Sequence, residues 1–266
     1  MENEVQETRP SRKKAIIIFV CIAVAFLVYF SIMEMMAQGR RYNALKEEFS
    51  YKQDEKNKID ERIFTDSSYL KMLKEKAYYQ SRVAIAETDS IYLTINLQDS
   101  SVNLEISGVS VHKARIVRLK ASRLLKGAND YIITSLLSRP LTIESDVSSI
   151  EKEPLMIKMA PKDTSEYQPD IMPDTADYEP VNYILHLDHG MRILVYQDEK
   201  LNPGDRIHLF IFDLRYRFRN TIKSLKSILT FKVPEYNPYI KLRLPRSDAK
   251  IIYRALPVHG QVGVYS

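Results

Sequence analysis

The segment LRLPRSDAKIIYRALPVHGQVGVY, Leu242 to Tyr265, decides how this chain is read. It sets Arg243, Ser247-Asp248-Ala249, Ile252-Tyr253, Leu256-Pro257 and Gly260 at regular distances. It ends on Gln261–Tyr265, a closing strand. Lys241 stands just ahead of it, preceded by Pro238-Tyr239-Ile240.

Working outward, strands recur through the chain. Ile91–Leu97 and Val102–Ile106 alternate with period two, and Gln98–Ser101 between them is a turn, so the pair is a hairpin. Ser107-Gly108 makes the next turn and Val109–Ile116 the next strand. Further strands are expected at 130–137, 155–159, 182–187, 191–196 and 206–214, and residues 218–229 are the most helix-like stretch of this region. Many short strands separated by turns predict a mainly β body, a sandwich with one or two helices, over residues 89–266. Residues 161–180 contain four prolines and no regular pattern, which reads as an exposed loop.

The N-terminal third differs. Ala15–Met33 is AIIIFVCIAVAFLVYFSIM, nineteen residues without a charge. As a helix it is about 28 Å long, close to the hydrocarbon thickness of a bilayer. It exceeds the core of a signal peptide, and the following Glu34–Arg41 is a poor cleavage site, so an uncleaved anchor is expected. Arg12, Lys13 and Lys14 abut the span, which predicts a cytoplasmic tail over 1–14 and a body outside the cytoplasm. In a Gram-negative cell this means a single-pass protein of the inner membrane with a periplasmic domain. Residues 34–88 are rich in helix formers and read as a solvated helical stalk. Its apolar spacing breaks between Phe49 and Ile59, too irregular for a sustained coiled coil, though it leaves room for a homodimer through the stalk. Thr65-Asp66-Ser67-Ser68 reads as a helix N-cap, with the helix running to about Ala86.

Composition narrows the function classes. Lysines and arginines are spread along the chain rather than gathered on one element, which argues against a nucleic-acid reader. Seven glycines, with neither GxGxxG nor GxxxxGK[ST], argue against a phosphate loop. The single cysteine, Cys21, lies in the apolar run, so no intramolecular disulfide and no cysteine-based zinc site can form. No cofactor is expected.

The closing segment resembles the end of L,D-transpeptidase (YkuD-like) catalytic domains. There a Ser-His-Gly-Cys-x-Arg run is followed by a polar turn, Asp-Ala or Asp-Val, a Leu-Tyr pair, Val-Pro, a glycine and a closing strand. The opening strands Ile91–Leu97 and Val102–Gly108 match that family more loosely. The Ser-His-Gly-Cys positions fall on Pro238-Tyr239-Ile240-Lys241, so the nucleophile and its histidine are absent and Arg243 alone remains of the motif. A thiolate performs that reaction, and an exposed lysine is protonated near neutral pH. The resemblance therefore implies a transpeptidase-like sandwich with an inactive site, in which Tyr239, Lys241 and Arg243 line a vestigial groove. Such a domain would bind a cell-wall peptide (peptidoglycan) or an envelope protein without catalysis.

Two alternatives stand beside this. The single span, stalk and β-rich head also suit a structural subunit of an envelope machine for secretion or division. The third is an enzyme using the polar cluster His186, Asp188 and His189. Strand geometry keeps two histidines three positions apart from sharing one metal, so Asp188-His189-Gly190 reads first as a hairpin turn. His189-Gly190 could also be a relic of the family's upstream His-Gly. His112 and His208 read as surface positions on strands.

Overall fold

The computed structural model describes residues 12–49, 67–152 and 179–265. The first helix, α1 (Arg12–Phe49), runs unbroken from the apolar stretch into the charged segment behind it. It is the one helix among the described residues long and apolar enough to cross a membrane, and no residue of its most apolar window is buried in the fold. A core helix of a soluble protein would be buried there.

Among the described residues the body is built on one sheet of nine strands. In chain order these are β1 (Tyr92–Asn96), β2 (Ser101–Ile106), β3 (Val109–Arg115), β4 (Arg118–Ala121), β5 (Leu141–Ser148), β6 (Asn182–Leu187), β7 (Arg192–Gln197), β8 (Tyr239–Leu244) and β9 (Gln261–Tyr265). Their spatial order is β3-β2-β1-β9-β5-β6-β7-β8-β4. The β1–β9 and β7–β8 pairs are parallel and the rest antiparallel. β5 joins the two halves: Leu141 and Thr142 pair with β9, and from Ile143 onward the strand pairs with β6, with an irregularity between Ile143 and Ser145. The closing segment thus enters the centre of the sheet, since β9 sits between β1 and β5.

Helices cover much of this sheet. They are α2 (Ser67–Ala86), α3 (Arg123–Gly127), α4 (Asp130–Leu137), α5 (Pro203–Leu229) and α6 (Arg246–Ala255). Helix makes up 52% of the structure and strand 25%, so a mixed sheet with helices describes the chain better than a mainly β fold. Two expected strands are helical. Residues 130–137 form α4: the Asn129 side chain accepts a hydrogen bond from the Tyr131 N–H at 2.8 Å, and Ile132, Ile133, Leu136 and Leu137 share a buried face. The isoleucine pair suggested a strand, but the cap and the helical spacing prevail. Residues 206–214, with His208, lie within α5, which starts at Pro203 after Asn202.

The expected solvated stalk is also corrected. The end of α1 packs on the body, with Leu45 and Phe49 inside the main core cluster and Ala37 buried. α2 lies against the sheet through the buried Ala77, Ser81 and Ile85. Arg82 of α2 then reaches Glu105 of β2, with Nε 2.7 Å from Oε2. The expected tail before Arg12, the Thr65-Asp66 cap, the strand at 155–159 and most of the 161–180 loop lie outside the described residues.

Candidate functional site

β8 reads YIKLRL, and period two divides its side chains between two faces. Ile240, Leu242 and Leu244 enter the core. Tyr239, Lys241 and Arg243 turn the other way and line a groove of about 740 Å³. Arg118 and Lys120 of β4, Arg192, Leu194 and Tyr196 of β7, and Tyr216, Arg217, Asn220 and Thr221 of α5 complete it. The three residues assigned to a vestigial groove thus share one concavity, flanked by strands on either side and by α5.

The groove is strongly basic. β4 and β8 are antiparallel neighbours in which Arg118 stands opposite Arg243 and Lys120 opposite Lys241. Like charges facing each other across strands are destabilising. Two carboxylates offset them in part. Asp198 Oδ1 lies 3.8 Å from Arg243 and 3.9 Å from Arg118. Asp213 of α5 lies 3.5 Å from Arg217 and accepts a 2.7 Å hydrogen bond from the Tyr196 hydroxyl. The Lys241 ammonium sits over the Tyr196 ring, 3.8 Å from its centroid. Burial pushes the Lys241 pKa below that of an ordinary lysine; Asp213 opposes the shift, while Arg217, Arg243 and Lys120 add to it. Arg192 spans the wall, donating to the Tyr216 hydroxyl at 3.1 Å and to the Asn237 carbonyl at 2.9 Å.

Neither cysteine nor histidine is among the residues lining this groove. The one thiol of the chain, Cys21, is exposed on α1. What the arrangement offers chemically is cations and aromatic faces, suited to holding a carboxylate or another anion.

The second cluster does not converge. His186 on β6 packs against the Tyr216 ring, 5.9 Å between centroids, behind the groove wall. Burial lowers its pKa, and Arg192 and Lys223 lower it further. His189 lies in the tight turn between β6 and β7, at φ 49°, with Gly190 at φ 61°. Its ring is 3.3 Å from Glu48 and edge-on to Phe49, and Arg41 donates to its carbonyl. These contacts fasten α1 to the body. Asp188 shares the turn. Among the described residues no group of three His, Cys, Asp or Glu side chains could hold a metal. His112 pairs with Asp248 at 3.3 Å, joining β3 to α6.

Sequence reasoning found one strand of the groove and missed its other walls. Arg118 and Lys120 sit on a four-residue strand too short to recognise, and the pattern over α5 reads as a strand at 206–214 and a helix at 218–229. Compared with family models, curated proteins and solved structures, the chain matches none.

Proposed function

We propose that this chain is a single-pass membrane protein whose body, outside the cytoplasm, is an L,D-transpeptidase-like domain without catalysis. It holds an anionic cell-wall peptide in the basic groove. In a Gram-negative cell the anchor would lie in the inner membrane and the body in the periplasm. The observation that carries this reading is the two pairs of opposed cations, Arg118 with Arg243 and Lys120 with Lys241, on the strand where the resemblance would put the nucleophile. Asp198 and Asp213 offset the repulsion of these charges only in part, and an incoming carboxylate would relieve more of it. The lysine at position 241 and the lack of a thiol or histidine in the groove support binding over acyl transfer.

Calorimetric titration of the full chain in lipid nanodiscs with soluble peptidoglycan stem peptides tests the proposal. Saturable, salt-sensitive binding that Lys241→Glu abolishes is expected. Heats equal to those of empty nanodiscs would reject it.

A second reading has its own support. Ile207, Ile211, Leu214 and Phe218 form an exposed apolar stripe on α5, as the subunit of an envelope assembly would present to a partner. Stoichiometric co-purification of a protein from mild detergent, lost on Leu214→Glu, would favour this reading over peptide binding.

A further inference from the structure

α5 ends in an unusual way. The Phe231 N–H donates to the Ile228 carbonyl at 3.0 Å and the Lys232 N–H to the Ser227 carbonyl at 2.8 Å, a Schellman stop. The residue after the cap of such a stop takes a left-handed conformation and is usually glycine. Here it is Phe231, at φ 54°. The ring is 83% exposed, and Leu229 beside it is 62% exposed. A strained backbone presenting a phenyl ring to water has no reason in the fold itself.

The tip's position supplies one. Its ring lies 6.4 Å from that of Tyr29, whose hydroxyl donates to the Ile228 carbonyl at 3.5 Å. Tyr29 belongs to the apolar run Ala15–Met33, four residues from its end. At the rise of a helix that is about 6 Å inside the apolar boundary, and a group touching Tyr29 shares its depth. Lys223, Lys226 and Lys232 are exposed around the tip.

We infer that the Leu229–Phe231 tip of α5 inserts into the interface of the same bilayer that α1 crosses, with Lys226 and Lys232 among anionic headgroups. The depth fits an interfacial apolar group, which penetrates about 5–10 Å, and lysines beside it gain from a negatively charged surface. The body would then be held to the membrane at two points, the span and the tip. This inference rests on reading α1 as a membrane span.

The chain has no tryptophan, so a single indole reports cleanly. Three full-length variants, Phe231→Trp, Phe26→Trp within the span and Val111→Trp on the exposed edge strand β3, would be reconstituted in phosphatidylcholine–phosphatidylglycerol vesicles. Lipids brominated near the headgroup should quench Phe231→Trp about twofold and blue-shift its emission, as for an interfacial ring. Val111→Trp should answer only to aqueous acrylamide. Quenched Phe26→Trp with Phe231→Trp open to acrylamide alone would overturn the tip contact and leave the anchor standing. Phe231→Trp shielded from both quenchers would overturn it in favour of a protein neighbour, a second copy included. A Phe26→Trp left unquenched by lipids brominated deep in the acyl chain would remove the anchor and the inference with it.

Discussion

Lys241 and Tyr196 meet across the parallel strands β8 and β7, ammonium over ring, 3.8 Å from the centroid. The Tyr196 hydroxyl passes the contact on to Asp213 of α5 at 2.7 Å. One relay therefore ties the two strands to the helix across the groove. Burial, and then Asp213, push the Tyr196 pKa up, so the phenol stays protonated and keeps donating.

Lys241→Met separates binding from stability at this relay. Losing the cation–π contact costs about 0.5–1 kcal/mol, and relief from the Lys120 repulsion offsets it. Denaturant unfolding is expected to move by less than about 1 kcal/mol, while affinity for an anionic peptide falls about tenfold with the loss of a charge-assisted contact. A large stability loss would make Lys241 a structural residue instead.

The Arg82–Glu105 pair fastens α2 to β2. The Glu105 side chain is 2% exposed and also accepts from Thr94 Oγ1 at 2.9 Å. Arg82→Met leaves a buried carboxylate without its cation and should cost about 3 kcal/mol. The double variant Arg82→Met/Glu105→Gln should recover much of this, and thermal unfolding of the three proteins measures it.

Leu45 tests whether the end of α1 belongs to the body. It is fully buried, so Leu45→Ala should destabilise by about 2–5 kcal/mol. A solvated stalk would lose almost nothing, and urea unfolding distinguishes the two.

His186 gives stability a pH dependence. Its folded pKa lies below 6.5, with burial the first cause, Arg192 and Lys223 next and Asp146 opposing. Between the folded value and 6.5 the unfolded chain binds more protons than the folded one, so stability rises with pH there and is lost as pH falls through the folded value. NMR titration of the His186 imidazole should place its pKa below 6.5, and His186→Phe should flatten the stability profile just below that value.

The same patterns explain what was legible beforehand. Where one local rule speaks alone, as in the alternation of β1, β2, β6 and β7, reading and structure agree to within a residue. Where two rules competed, the wrong one was chosen. DYIITSLL has β-branched residues and a helix cap, and the cap prevailed because α4 can bury its face against α2. The basic groove was half legible: alternation put Tyr239, Lys241 and Arg243 on one face of β8.

The sequence by itself determined the apolar run, the hairpins, the two-faced β8 and the absence of a thiol from the body, because each depends on residues close together in the chain. Only the tertiary structure decided that β4 sets Arg118 and Lys120 against Arg243 and Lys241, that Leu45 is core rather than stalk, and that Phe231 lies beside Tyr29. The first and last of these join residues about 120 and 200 positions apart, and long-range packing, which no local period encodes, brings them together.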